Sequence, residues 1–232
     1  PMKPVGESSV RRLSLYLRFL DAEESRGRRT ISSEALASLA GTTSAQVRKD
    51  LSQFGSFGIR GTGYDLDALR GRLREILGLE REWRVVIIGA GKIGAALAQY
   101  PGFADRGFRI VGVYDAAPAK IGSRWGDVRV QSPAKLSADV RRLDAQIAVL
   151  AVPAHVAQEM LDHVAKAGVR AVLNFAPIPL AAPRGVAVQS VNMAQELEAL
   201  SYQLAHAPPP PAPPPRRGTT AATPTKRTRG RG

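Results

Sequence analysis

Apolar residues recur at intervals of three and four near the start of the chain, which predicts an amphipathic helix. Ser8 is placed to cap this helix, which we expect to run to about Ala22. The apolar face is formed by Val10, Leu13, Leu17 and Leu20.

Two shorter helices are predicted next, joined by a tight turn. Ser32 can cap a helix that ends at Gly41. The segment from Thr43 to Gln46 has the form of a capping box and opens a third helix that runs to about Gln53. Two short helices joined by a glycine-bearing turn are typical of a helix-turn-helix motif.

Residues 54–64 interleave four glycines with aromatic residues, a composition that suits a β-hairpin or wing. A helix is predicted from Asp67 to Leu77, where Gly78 stops it. We therefore expect residues 1–80 to form a winged helix-turn-helix domain.

At Trp83 the pattern changes to short, continuous apolar runs, which are typical of strands buried on both faces. Strands alternate with helices over residues 81–190, so we expect an α/β parallel sheet of the Rossmann type. A last helix, Asn192 to His206, lies in the predicted segment 191–207. The predicted strands are Val85–Ile88, Arg109–Tyr114, Gln146–Val152, Ala171–Asn174 and Val186–Val188, and the predicted helices between them include Ile93–Gln99 and Ala154–Ala167.

The composition excludes several kinds of site. The chain has no cysteine, so disulfides, thiolate zinc sites and cysteine nucleophiles are excluded. Its three histidines have no partner at metal-ligand spacing, and we expect no metal site. No apolar run approaches the ~18 residues of a membrane span, and the first residues lack the layout of a signal peptide. We therefore expect a cytoplasmic protein.

The end of the chain supplies nearly half of the formal net charge of +13. Residues 208–232 are predicted to be a disordered, proline-rich basic tail, because they combine a proline run with basic residues and no acidic ones. A basic chain is compatible with nucleic acid. Many basic proteins bind nothing charged, so the charge alone does not decide.

A glycine-rich hexamer directly after the first of these strands matches G-x-G-x-x-G. It consists of Gly89, Ala90, Gly91, Lys92, Ile93 and Gly94. In a strand–turn–helix context the glycines permit the tight turn, the approach of a pyrophosphate and close helix packing, and the helix N-terminus attracts the phosphates. Asp115 ends the next strand, 21 residues after Gly94, where it would accept hydrogen bonds from ribose hydroxyls and favour NAD(H) over NADP(H). A turn without a ligand, or another nucleotide such as coenzyme A, are the alternatives.

The third helix is the expected DNA-reading element, since the second helix of a helix-turn-helix faces base edges with its first residues. These residues are Ser44, Ala45, Gln46, Arg48 and Lys49. Gln46 can pair with adenine, and Arg48 or Lys49 with guanine or phosphate. Arg60, at the wing tip, would enter the minor groove. An ordinary solvated helix is the alternative, and Asp50 beside Lys49 weakens a purely electrostatic argument.

In this order, the motifs of residues 5–205 resemble the Rex family of redox-sensing transcriptional repressors. The resemblance is carried by the segments Gln46–Ser52, Gly58–Tyr64, Tyr100–Phe103 and Asn174–Pro177. It implies a homodimer that binds a palindromic operator and is released when NADH binds, with NAD⁺ as a weaker competitor. It also implies that the last helix is domain-swapped between the two subunits.

The resemblance also implies roles for single residues. Tyr100 would lie near the nicotinamide, and Arg18 would lie at the interface between the domains. Asn192 stands where family members often have an aspartate, and Met193 where an aromatic residue is common. Because an amide cannot form a charged pair with Arg18, we expect a weaker coupling or a shifted NADH set point.

The nicotinamide pocket is expected to be apolar and to prefer the neutral reduced ring. We expect Tyr100, Pro153 and Phe175 to line it, with Asn174 beside them. A dehydrogenase is the competing class of function, and His155, which follows a predicted strand, lies where a ligand would bind. No catalytic constellation stands out, however, and little chain is left for a substrate domain. A nucleotide-binding adaptor, the third class, leaves the Gln46–Lys49 helix unexplained.

Overall fold

The computed structural model describes residues 6–55, 58–59 and 63–207, which begin with a long amphipathic helix. Helix α1 spans Glu7–Ser25, with Gly6 rather than the predicted Ser8 as its N-cap, and it runs three residues past Ala22. Three residues of its predicted apolar face, Leu13, Leu17 and Leu20, are fully buried, whereas the fourth, Val10, is 41% exposed at the start of the helix.

Helices α2 (Ser33–Ala40) and α3 (Ser44–Ser52) form the helix-turn-helix. The Ser32 hydroxyl caps α2 by accepting a hydrogen bond from the Ala35 N–H (3.0 Å), and Gly41 ends α2 in the left-handed conformation. Thr43 caps α3 in the same way, accepting from the Gln46 N–H (3.2 Å). The second bond of the expected capping box, from the Thr43 N–H to the Gln46 amide oxygen, is not among the hydrogen bonds of the described residues, and the Gln46 amide nitrogen donates to Asp50.

A small antiparallel sheet follows in the order β1–β3–β2. Its strands are β1 (Thr30–Ile31), β2 (Gly58–Ile59) and β3 (Gly63–Asp65). Asp65 caps helix α4 (Leu66–Ile76), which begins one residue before the predicted start. The wing residue Arg60, predicted to bind DNA, lies outside the described residues. Residues of α1 to α4 and this sheet enclose one hydrophobic core.

The second sheet has seven strands in the order β10–β9–β8–β4–β5–β7–β6. All its neighbours pair in parallel except β6 and β7. Its strands are β4 (Trp83–Ile88), β5 (Phe108–Tyr114), β6 (Arg124–Trp125), β7 (Val128–Gln131), β8 (Ile147–Leu150), β9 (Ala171–Asn174) and β10 (Ala187–Ser190).

Helices cover both faces of this sheet, and a separate hydrophobic core lies on each face. The helices are α5 (Lys92–Ala98), α6 (Leu136–Arg142) and α7 (Ala154–Ala167). A 3-10 turn, Pro101–Arg106, connects α5 to β5. Strands β6 and β7 and helix α6 were not predicted, because each is too short to produce a clear periodic pattern.

Within the described residues, the segment from Asn192 to Ala207 belongs to a unit separate from the preceding chain. Asn192 caps helix α8 (Met193–His206) by accepting a hydrogen bond from the Ala194 N–H (3.0 Å). The large apolar side chains of α8 are exposed in this chain: Met193, Leu197, Leu200, Tyr202 and Leu204. A helix with this many exposed apolar side chains is one that a partner surface would cover.

Candidate nucleotide and DNA sites

The order of the six parallel strands places a crevice beside the glycine-rich turn. Numbered along the chain from β4, these strands lie in the order 3-2-1-4-5-6 of a dinucleotide-binding sheet. The order reverses between β4 and β8, and ligands bind outside the carboxyl ends of strands at such a point. The glycine-rich turn follows β4, and Pro153 caps α7 just after β8. Both segments therefore border the crevice.

Two glycines hold this turn against the sheet. Gly89 has φ of 103°, and a Cβ there would collide with the Ala151 carbonyl at the end of β8. A Cβ at Gly94 would collide with the Gly89 carbonyl. Packing within the protein alone therefore explains why the first and last residues of the motif are glycines.

Gly91 is different, because a Cβ at this position would meet no protein atom within 4 Å. Its φ of −84° is also open to any residue. Gly91 is the N-cap of α5 and has no side chain to accept from the first N–H groups of the helix. Lys92 and Ile93 in the first turn are exposed. A small, open and uncapped helix start is what a pyrophosphate requires.

Asp115 lies directly after β5 and binds the turn. Its carboxylate accepts hydrogen bonds from the N–H groups of Ala90 (2.7 Å) and Ala117 (2.8 Å) and from Lys120 Nζ (3.0 Å). Burial alone would raise the pKa of Asp115, but these bonds outweigh it and hold the pKa below its usual value. The group is therefore an ionised acceptor, as recognition of a ribose hydroxyl requires.

The remaining residues that are predicted to bind the nucleotide lie at opposite ends of the strands. Pro153, Asn174 and Phe175 lie at the carboxyl ends of β8 and β9. Asn174 is fully buried, and its amide oxygen accepts from the Ala176 N–H (2.9 Å). Its amide nitrogen donates to the carbonyls of Ala176 (3.2 Å) and Ile178 (3.1 Å), so the side chain holds the loop that presents Phe175.

Tyr100 follows α5, which runs back from the glycine-rich turn to the amino ends of the strands. There it lines a cavity of about 850 Å³ together with Glu82 and Phe108, which lie at the starts of β4 and β5. Its ring is 57% exposed and packs edge-on against Phe103. Within one chain the direction of α5 places Tyr100 at the opposite ends of the strands from Pro153 and Phe175, and the pocket expected from these three residues stays a prediction.

On the DNA side, the buried Asp50 connects α3 to α1. Its side chain is 0% exposed and accepts two hydrogen bonds from Arg12, from Nε to Oδ2 (2.6 Å) and from Nη2 to Oδ1 (2.8 Å). The Tyr16 hydroxyl donates to Oδ2 (2.9 Å), and Gln46 Nε2 donates to Oδ1 (2.8 Å). Burial raises the pKa of Asp50, but these four donors lower it further, to a net value below the usual one.

The other predicted DNA-reading side chains lie at the surface of α3. Arg48 donates to the Ser33 hydroxyl (3.0 Å) and lies 3.5 Å from the Glu34 carboxylate. Lys49 is exposed, and Ser44 is half-buried in the first turn. A duplex bound at α3 could contact Arg48 and Lys49 directly. Breaking the ion pair of Arg48 would cost little free energy, since exposed ion pairs are weak.

Arg12 and Tyr16 were missed in the sequence, and Asp50 was regarded only as a charge that offsets Lys49. Positions 12 and 16 are one helical turn apart, which indicates a shared face and nothing about what that face contacts. Asp50 is 38 residues from Arg12, and a single sequence carries no signal for such a pair.

One ion pair connects the two cores. Asp21 Oδ2 on α1 lies 3.2 Å from Arg106 Nη2 at the end of the 3-10 turn. The predicted interface residue Arg18 is exposed on the same helix. This turn begins directly after Tyr100. A displacement of the 3-10 turn would therefore alter the ion pair that this turn makes with the first helix of the DNA-binding part.

Over the ranges given above, no cluster of three or more His, Asp or Glu side chains is arranged to hold a metal ion. No described helix combines the length and apolar character that crossing a membrane requires. His163, in α7, lies 2.8 Å from the Ser137 hydroxyl on the surface, and His155 is exposed in the first turn of α7.

Two family models match the chain. Residues 80–178 match the CoA binding domain, and residues 5–52 match the putative DNA-binding protein N-terminus. The first match covers the strands and helices around the glycine-rich turn, and the second covers α1 to α3.

Relatives match over most of the chain. The redox-sensing transcriptional repressor Rex of Pelotomaculum thermopropionicum is 44% identical over 86% of this chain and 94% of its own. The Rex repressor of Streptomyces avermitilis is 45% identical over 85% of this chain and 79% of its own. These relatives are named as repressors and not as enzymes.

Solved structures agree. RSP in complex with β-NADH matches with a TM-score of 0.80 and 34% identity, over 87% of this chain and 95% of that one. RSP in complex with β-NAD⁺ and operator DNA matches with a TM-score of 0.83 and 35% identity, over 87% and 93%. With both sites present in one chain, this protein belongs to the Rex family of redox-sensing transcriptional repressors.

Proposed function

We propose that this chain represses transcription by binding operator DNA through the start of α3, and that NADH bound at the glycine-rich turn releases it. The observation that carries the proposal is the open start of α5 at Gly91 beside the ionised Asp115, in the same chain as a helix-turn-helix. A dehydrogenase would use the glycine-rich turn and Asp115, but it would leave the helix-turn-helix unexplained.

The regulation requires a difference in affinity. If NADH binds the DNA-free form more tightly than the DNA-bound form, it weakens DNA binding by the same factor, typically 5- to 150-fold. NAD⁺ differs from NADH by a positive charge on the nicotinamide ring. We expect the nicotinamide ring to lie in an apolar pocket beside Phe175, where the exclusion of water would disfavour that charge and make NAD⁺ the weaker effector.

The repressor acts as a homodimer in the cytoplasm, with α8 as part of the contact between subunits. The exposed apolar face of α8 supports this, because it needs a covering surface. A dimer also explains the position of Tyr100. Within one chain this tyrosine lies at the amino ends of the strands, so we expect a second copy to bring it to the nicotinamide. Two-fold symmetry then predicts half-sites about 34 Å apart, or a multiple of that distance.

Fluorescence anisotropy tests the proposal on a labelled palindrome selected from a random duplex pool with this protein. At fixed salt, we expect NADH to release the duplex at a concentration at least tenfold below that of NAD⁺. Coenzyme A should leave it bound. Equal release by NADH and NAD⁺ would contradict redox sensing, and release by coenzyme A alone would make that nucleotide the ligand.

Gly91→Ala tests the nucleotide site without disturbing the fold. The added methyl meets no protein atom within 4 Å, but it occupies the space through which a pyrophosphate approaches the backbone. We expect unchanged thermal stability and DNA affinity, with a loss of NADH affinity of at least tenfold. Gly71→Ala is the matched control, since its methyl also meets nothing, within α4. Unchanged release of DNA from the Gly91 variant by NADH would place the nucleotide elsewhere.

A further inference from the structure

A buried carboxylate on α3 contacts one of the side chains that are predicted to read DNA. Asp50 and Gln46 are one turn apart on α3, and Gln46 Nε2 donates to Asp50 Oδ1 at 2.8 Å. Only the nitrogen of an amide can donate to an ionised carboxylate, which is purely an acceptor. The contact therefore decides which end of the Gln46 amide is the nitrogen and which is the oxygen.

Asp50 itself is held from α1. Arg12 binds both carboxylate oxygens in a two-pronged arrangement, and Tyr16 adds a third donor. Burial raises the pKa of Tyr16, so its hydroxyl stays protonated and donates at neutral pH. With the carboxylate fixed by two residues of another helix, Gln46 cannot turn its amide over without losing a hydrogen bond to a buried charge.

The fixed amide has consequences for the bases that it can recognise. One of its two N–H groups is used by Asp50, which leaves one donor and one acceptor for DNA. Adenine presents an acceptor, N7, beside a donor, its amino group, and this pair matches the amide. Guanine presents two acceptors, N7 and O6, and the Gln46 oxygen would face one of them without a hydrogen between.

We propose that Asp50 is a positioning residue for sequence recognition: it holds the Gln46 amide in the one orientation that accepts adenine and rejects guanine. Arg12 and Tyr16, on α1, extend this control beyond the recognition helix. The inference rests on the proposed reading of DNA by α3 and adds the base that Gln46 selects.

The test uses the full chain and base-substituted duplexes. Wild-type protein first selects a palindrome from a random duplex pool, and each A·T pair in both half-sites is then changed to G·C. Asp50→Asn removes the charge but keeps the shape, and its own amide can accept from or donate to Gln46. We expect the preference for A over G to fall by about tenfold at one position in each half-site, while other positions keep theirs.

Four companion variants separate positioning from folding. Gln46→Met should lose the same preference at the same position, and the double variant should lose no more than either single one. Tyr16→Phe removes a donor to Oδ2 and leaves both Oδ1 contacts, so it should lower stability and keep the preference. If the Asp50 variant does not fold, Arg12→Lys replaces the two-pronged contact by a point charge and should reduce the preference in part.

Each outcome decides between the possible roles. A uniform loss of affinity for all duplexes in the Asp50 or Arg12 variant, with the base preference intact, would reduce Asp50 to a structural residue. An unchanged preference in Gln46→Met would exclude Gln46 as a reader. Selection of no sequence by the wild-type protein would contradict the proposed function itself.

Discussion

The two halves of the molecule each depend on a carboxylate with a lowered pKa, but they satisfy it in different ways. Asp50 receives all four of its hydrogen bonds from side chains, on two helices. Asp115 receives two from backbone N–H groups beside the glycine-rich turn and one from Lys120. A site made by the backbone depends on chain conformation, and a site made by side chains depends on residue identity at distant positions.

Removal of each carboxylate tests whether the two sites differ in this way. Asp50→Ala leaves the Arg12 charge and the buried Tyr16 hydroxyl without a partner. We expect a loss of about 3 kcal/mol in the free energy of unfolding, at the low end for a broken buried pair because Arg12 is 29% exposed.

Asp115→Ala should cost only about 1 kcal/mol, because water can replace the carboxylate at a site where Lys120 is 42% exposed. Its larger effect is expected on NADH, with a loss of affinity of at least tenfold. Urea unfolding followed by circular dichroism measures both variants. Equal losses of stability would contradict the distinction between the two sites.

The different visibility of the two sites in the sequence has the same origin. Backbone conformation is encoded locally: Gly89 and Gly94 are required by close packing, and this requirement is what the glycine motif records. The expected dinucleotide sheet therefore agrees with the structure, and Asp115 lies directly after β5 as its position in the sequence indicates. Arg12 and Asp50 are far apart in sequence, and no local rule connects them.

Topology limits what the sequence predicts about Tyr100. A local motif does not show which end of the strands a residue reaches, and α5 carries Tyr100 away from the glycine-rich turn within one chain. Strands β6 and β7 were missed for a simpler reason, since two and four residues are too few to define an alternation.

Acid pH should lower the stability of the fold through both carboxylates, by a smaller amount. The lowered pKa values of Asp50 and Asp115 mean that each stabilises the fold above the unfolded-state pKa, near about 4. Below that pH the unfolded chain takes up protons that the folded chain does not, so stability falls as the pH falls further.

The two carboxylates should separate by probe. Both tryptophans, Trp83 and Trp125, lie in the large sheet, so their fluorescence reports that half. We expect Asp115→Asn to flatten the acid dependence of the urea midpoint measured by fluorescence, and Asp50→Asn to flatten the dependence measured by circular dichroism. Identical pH profiles for the wild type and both variants would show that neither group carries the effect.

The smallest expected effect concerns the connection between the halves. Asp21→Asn removes the charge facing Arg106, and both side chains are partly exposed, so stability should change by only about 0.5 kcal/mol. We expect the ratio of DNA affinities with and without NADH to fall about threefold, since this pair joins α1 to the turn after Tyr100. Anisotropy with and without NADH measures the ratio, and Asp67→Asn, on the exposed start of α4, is the control.

The position of Asp50 on the buried side of α3 affects how such proteins diverge and how they can be redesigned. Transplanting residues 44–52 into a relative would transfer Gln46 and Asp50 but leave behind Arg12 and Tyr16, which set the carboxylate. The grafted recognition helix would then carry the same residues, but the Gln46 amide would be free to turn over. New operator preferences should therefore arise through paired changes on the first and third helices, and a library that varies α3 alone would sample only part of the accessible code.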